Sequence, residues 1–140
     1  MSPRTRKFLI ATHGAFARGI LSSLEMITGS TENVFTLQAY LEGNQSIEEE
    51  LGKIVNPENN GEEWVIFSDL LGGSITNQLL RQVAGEHIHI VAGVNLPLLI
   101  EIVLADTDTP LAEVIEGAVG KAREQLVYVN PLISLKKGDH

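Results

Sequence analysis

The sequence contains no cysteine. Disulfides, thiol nucleophiles and cysteine-ligated metals are therefore excluded, and the chain suits a reducing compartment. Aromatic residues are scarce at 5%, against a hydrophobic fraction of 44%, so a core of Leu, Ile, Val and Ala is expected. Basic residues are the minority: 10 Lys and Arg face 18 Asp and Glu, giving a formal net charge of −8. That balance argues against a broad footprint on a phosphate backbone, and no nucleic acid partner is expected. It leaves room for a local basic spot that meets an acidic protein or a phosphate. Long uninterrupted apolar runs are missing as well. The stretch from Ile88 to Ala105 carries Asn95, Pro97 and Glu101, which are costly in a bilayer; a buried strand followed by a helix explains it better. Near the start, Phe8 to Ala11 follows a basic segment but is too short for a signal-peptide core, and His13 interrupts it. A cytoplasmic location is expected. The 140 residues suit one domain, with its core at about 7–129 and an extended tail at about 126–135.

What is present reads as alternating strand and helix, the pattern of an α/β domain with a largely parallel sheet. Phe8 to Ala11 is a continuous apolar run, as in a strand covered on both faces. Phe16, Ile20, Leu24 and Ile27 then recur at helical spacing, with Gly29 as a stop. Val34 to Leu37 is a second strand. Ser46 opens a helix, with Glu49 completing a capping box and Ile47, Leu51 and Ile54 as its buried face. Asn59-Asn60-Gly61 turns into a third strand, Trp64 to Phe67. Gly72-Gly73 breaks the chain, Ser74 caps the next helix, and Ile75, Leu79 and Val83 line it. Ile88 to Ala92 is the fourth strand, and Asn95 caps a helix through Leu104. Pro110 stands at the first position of another helix, where its missing N–H costs nothing; Leu111, Val114, Ile115, Ala118 and Ala122 mark the apolar face. In the tail, Tyr128 and Asn130 alternate with Val127 and Val129, which suggests an extended edge strand interrupted by Pro131.

In open parallel sheets, ligands bind beyond the carboxyl ends of the strands. That rule selects Thr12-His13-Gly14, Ser68-Asp69-Leu70-Leu71-Gly72-Gly73-Ser74 and Gly93-Val94-Asn95. The first places a histidine at a strand-to-helix junction; the second places a carboxylate before a glycine-rich helix start. A carboxylate that accepts from one imidazole N–H fixes the tautomer and leaves the other nitrogen nucleophilic. It also stabilises the positive ring formed when that nitrogen is phosphorylated. Free N–H groups at the helix start, with Gly72 and Gly73 permitting close approach and Ser74 adding a hydroxyl, can receive phosphoryl oxygens. The bland reading is that Asp before two glycines is a turn former and that the histidine is an ordinary polar residue. Other clusters carry less. His87 and His89 share one strand face but have no third metal ligand in sight. Asp106 and Asp108 fit loop and cap roles better than a cation site, and Glu48-Glu49-Glu50 fits a solvated helix start. Gly72-Gly73-Ser74 lacks the lysine of a nucleotide-binding loop. No cofactor and no metal are expected.

Taken together, Ile10-Ala11-Thr12-His13-Gly14, Phe67-Ser68-Asp69-Leu70-Leu71-Gly72-Gly73-Ser74 and Val91-Ala92-Gly93-Val94-Asn95-Leu96-Pro97-Leu98-Leu99 resemble the enzyme IIA component of the mannose-class sugar phosphotransferase system. The match runs from Lys7 to about Val129. The resemblance implies a phosphotransferase with a phosphohistidine intermediate: His13 carries the phosphoryl group, Asp69 orients it, and Thr12, Gly14, Gly72, Gly73 and Ser74 surround it. It implies an open, doubly wound sheet of four parallel strands in the order 2-1-3-4, flanked by helices. It further implies a homodimer in which the C-terminal strand adds antiparallel to the partner's sheet. The implied partners are HPr as donor, enzyme IIB as acceptor and, indirectly, the membrane IIC and IID subunits. The family often has Gly at the position of Ala11, Thr-Trp at Leu70-Leu71 and Pro at Ile75; none of these departures removes a reacting group, while the missing Trp bears on docking of the B component. Two other functions fit less well: the phosphoryl-donor subunit of a dihydroxyacetone kinase, and a non-catalytic regulatory binding module.

Overall fold

The computed structural model describes residues 4–40, 46–83 and 85–138, with side chains described as far as residue 133. In chain order the elements are β1 (Thr5–His13), α1 (Phe16–Thr28), β2 (Val34–Ala39), α2 (Ile47–Ile54), β3 (Glu62–Ser68), α3 (Ser74–Gln82), β4 (Ile88–Ala92), α4 (Leu96–Val103), α5 (Leu111–Glu124) and α6 (Val129–Gly138). The four strands form one sheet in the order β2-β1-β3-β4, with every pairing parallel.

Helices cover both faces, and the alternation of strand side chains sorts them into two cores. Phe8 and Ile10 of β1, with Val65 and Phe67 of β3, pack toward α1, α4 and α5 through Ala17, Ile20, Leu24, Leu98, Leu99, Ile102, Leu111, Ala118 and Ala122. Leu9 and Ala11, with Trp64 and Ile66, pack toward α2 and α3 through Ile47, Leu51, Ile75 and Leu79. Strands buried on both faces must be apolar throughout, which is why Phe8–Ala11 and Trp64–Phe67 read as unbroken runs. The first strand is longer than that run. Thr5 to Lys7 extend it at the wet end of the sheet, pairing with Glu62 to Trp64.

Local chemistry sets several boundaries. The Ser46 hydroxyl accepts from the Glu49 N–H at 3.2 Å and starts α2. The Asn95 side chain accepts from the Leu98 N–H at 3.0 Å and starts α4. Three expectations shift. The buried stripe of α1 is Ala17, Ile20 and Leu24, while Phe16 and Ile27 lie on its exposed flanks. Pro110 is the residue before α5, in an extended conformation, and its carbonyl accepts the Glu113 and Val114 N–H groups. Gly73 precedes α3 as its cap, and Ser74 is already helical.

The tail differs most. Residues 129–138 form helix α6 where alternation suggests an extended edge strand, and the described sheet contains no antiparallel strand. Pro131 falls in the first turn, where a helix needs no N–H from it. Val129, Leu132 and Ile133 recur at helical spacing. The alternation spanned only four residues, too few to outweigh that pattern. These three side chains, with Leu126 and Tyr128, remain exposed. Leu135, the last residue of the expected tail, has a side chain outside those described.

Candidate functional site

The strand register places the candidate residues together. β1 pairs with β3 as far as Ala11 opposite Ser68, then continues along β2 to His13 opposite Ala39. His13 thus ends β1 beside the residue that follows β3, which is Asp69. Gly14 turns the chain with φ 57°, a left-handed conformation that strains side-chain-bearing residues. Its N–H donates to the Ala39 carbonyl at 2.9 Å. The loop after β3 is fixed by a short relay. The Thr76 hydroxyl donates to the Leu70 carbonyl at 2.6 Å; having spent its proton there, it accepts from the Ser68 hydroxyl, also at 2.6 Å. Gly72, with φ 74°, completes the turn into α3.

One carboxylate oxygen holds the histidine twice. Asp69 Oδ2 accepts from the His13 backbone N–H at 2.9 Å and lies 2.8 Å from His13 Nδ1. An ionised carboxylate only accepts, so Nδ1 carries the proton and Nε2 presents its lone pair. Burial of Asp69 works to raise its pKa, but the hydrogen bonds from the His13 backbone and ring outweigh this and hold the carboxyl below its ordinary value. The His13 side chain is 42% exposed and that of Asp69 13%, so the carboxylate lies behind the ring and the ring faces solvent.

The start of α3 closes one side. A methyl group on Gly73 would lie 3.4 Å from Leu70 Cβ and 4.0 Å from His13 Cε1, so helix and imidazole are near neighbours. No side chain caps α3, so its first-turn N–H groups remain available to an anion. Of the expected site residues, the structure gathers His13, Gly14, Asp69, Gly72, Gly73 and Ser74. Thr12 differs: it is fully buried, and its hydroxyl accepts from the Ala17 N–H at 2.8 Å. That side chain anchors the start of α1 and has no access to a group carried on the exposed ring.

Tyr40 was not among the expected residues. Its ring centroid lies 5.3 Å from that of His13, and its hydroxyl is 2.7 Å from Ser74 Oγ. The strand-end rule that selected the other segments applies to Tyr40 too, since it directly follows β2; the signal was present but carried no recognisable motif. Among the remaining clusters, Asp106 serves its loop: Oδ1 accepts from the N–H groups of Asp108 and Thr109 and from the Thr109 hydroxyl. No group of three or more potential metal ligands occurs among the described residues. A cavity of about 580 Å³ lies between β4, α4 and α5, lined by Gly93, Asn95, Pro97, Arg123 and Leu126 among others, and neither His13 nor Asp69 lines it. No described helix is long and apolar enough to cross a membrane.

Comparison with known proteins agrees with this fold. Residues 7–119 match the EIIA-man family model, described as the fructose IIA component of the phosphotransferase system. The mannose-specific EIIAB component of Escherichia coli K12 is 32% identical over 123 residues, which cover 86% of this chain and 38% of that protein. The chain thus spans well under half the length of that relative. Among solved structures, the fucose-operon IIA protein of Streptococcus pneumoniae superposes with a TM-score of 0.73 at 29% identity, covering 95% of this chain and 99% of the other. The EIIA component of Streptococcus agalactiae gives 0.75 at 28% identity, covering 91% and 99%. A family match across most of the chain, on the strands and loops that build the His13 cluster, assigns the chain to the EIIA-man family of phosphotransferase-system IIA components.

Proposed function

We propose that the protein is a phosphoryl carrier that takes a phosphoryl group from phospho-HPr onto His13 Nε2 and passes it to a histidine of an enzyme IIB. The observation that carries this reading is the double hold of Asp69 Oδ2 on the His13 backbone and Nδ1. Fixing the Nδ1–H tautomer aims the Nε2 lone pair outward. As the bond from Nε2 to phosphorus forms, the bond from phosphorus to the donor breaks and its electron pair leaves with the donor. The His13 ring, still protonated at Nδ1, becomes positive, and Asp69 offsets that charge without taking the proton. The phosphoryl oxygens meet the free N–H groups and positive dipole end of α3, with Gly72, Gly73 and Ser74 closing around them. The same arrangement runs in reverse toward the acceptor.

A histidine on open surface, outside the 580 Å³ cavity, suits transfer between proteins better than capture of a small sugar. Sugar choice then rests with the membrane IIC and IID subunits, reached through IIB, and the carrier works on the cytoplasmic side. The exposed apolar side chains of Leu126, Tyr128, Val129, Leu132 and Ile133 support a homodimer that covers them.

The test is onward transfer. Chain loaded with labelled phosphoryl by phosphoenolpyruvate, enzyme I and HPr is mixed with a mannose-class IIB or with a dihydroxyacetone kinase core. Label should move to IIB. Label that moves only to the kinase core, or stays on the chain with both, refutes the IIB assignment.

A further inference from the structure

We propose that Tyr40 is a positioning residue for the phosphoryl group on His13, acting through a hydroxyl pair with Ser74. The inference rests on the acceptor reading of His13 and adds to it a residue from a third strand end.

Tyr40 is held in an unusual way. It is the one non-glycine among the described residues with a positive φ, 62°, a conformation that a bulky side chain adopts only when its surroundings impose it. Burial does not impose it, because Tyr40 is 60% exposed. What holds it is the site itself. The Ala39 carbonyl receives the Gly14 N–H at 2.9 Å, which ties the end of β2 to the turn after His13. Its ring is tilted 34° to the His13 ring at 5.3 Å, and its hydroxyl meets Ser74 Oγ at 2.7 Å in the first residue of α3. His13 is therefore bordered by Asp69 at Nδ1, by Gly73 near Cε1 and by the Tyr40 ring.

The pair has a proton to spare. Two hydroxyls carry two protons, and the bond between them uses one. The second remains free to donate, and donation from a hydroxyl that already accepts is strengthened by the first bond. Beside a dianionic phosphoryl group this free proton is a charge-assisted donor. Tyr40 thus fixes where the donor stands, while its ring limits rotation of the imidazole away from Asp69.

The experiment uses the full chain and its Tyr40→Phe, Ser74→Ala and double variants. The phosphoryl-exchange equilibrium with HPr is measured, together with the 31P resonance of phospho-His13. Tyr40→Phe, which keeps the ring, should shift the equilibrium about tenfold toward HPr and move the 31P resonance. The double variant should lose little more than either single one, because the hydroxyls act as a unit. Unchanged equilibrium and resonance in Tyr40→Phe would overturn the inference while leaving His13 as acceptor; strictly additive losses would overturn the pairing. Absence of label on the wild-type chain would instead remove the acceptor reading and this inference with it. Matching circular dichroism and melting of the variants show that each is folded.

Discussion

Among single residues, the proposed transfer depends most on Asp69, a carboxylate that orients the His13 ring without joining the reaction. Replacing Asp69 with Asn leaves a hydrogen-bonding side chain of the same size but removes the charge proposed to offset a phosphorylated imidazole. Transfer to and from HPr should then slow on the order of a hundredfold, with the fold intact; rapid-quench rates equal to wild type in both directions would take Asp69 out of the mechanism. The same carboxyl has a consequence for stability. Its pKa is lowered in the folded protein, so its contribution is complete above the unfolded carboxyl value, about 3.9, and is lost as pH falls through the lower folded value. Urea unfolding across that acid range should show a steeper decline for wild type than for Asp69→Asn; parallel curves would show that the bonds to His13 do not stabilise the fold. Both His13 and Asp69 were legible in the sequence because each lies at the end of an apolar strand, where the chain leaves the sheet. Tyr40 was not, because a lone aromatic after a strand carries no motif, and its partner Ser74 is 34 residues away.

Elements follow the same logic. The apolar runs of β1 and β3 were legible because double burial leaves no polar position in them. The direction of a hydroxyl at a strand end was not: Thr12 sits between the buried Ala11 and the half-exposed His13, and only the packing of α1 decides that its oxygen faces the Ala17 N–H. Thr12→Val should leave that N–H unpaired and cost about 1–3 kcal/mol of stability, while labelling of His13 persists. Chemical denaturation paired with a labelling assay separates the two effects. A folded variant of full stability that no longer accepts label would return the Thr12 hydroxyl to the site. In the tail, a proline and a short alternation pointed to a strand, yet Pro131 in the first turn of α6 is compatible with a helix. Strand order and crossover geometry were recoverable only through the family resemblance, since no local pattern states which strands are neighbours.

The whole molecule presents an open sheet with β2 and β4 at its edges and a C-terminal segment whose apolar side chains face solvent. Leu126 is 91% exposed and Tyr128 75%; in the proposed homodimer a second copy covers them. Sedimentation of the full chain should show a dimer, and deletion after Gln125 should yield a monomer. A full-length monomer at micromolar concentration, or a truncated chain that still dimerises, would show that the tail has another task. Independent of any assembly is the proposal that one nitrogen of His13 carries the phosphoryl group. Its most direct test is to incubate the purified chain with phosphoenolpyruvate, enzyme I and HPr and to map the modification by mass spectrometry under alkaline conditions. One acid-labile phosphoryl group per chain is expected, located on His13, absent from His13→Ala and retained in His87→Ala and His89→Ala. Label that survives in His13→Ala, or a wild-type chain that takes up none, would contradict it.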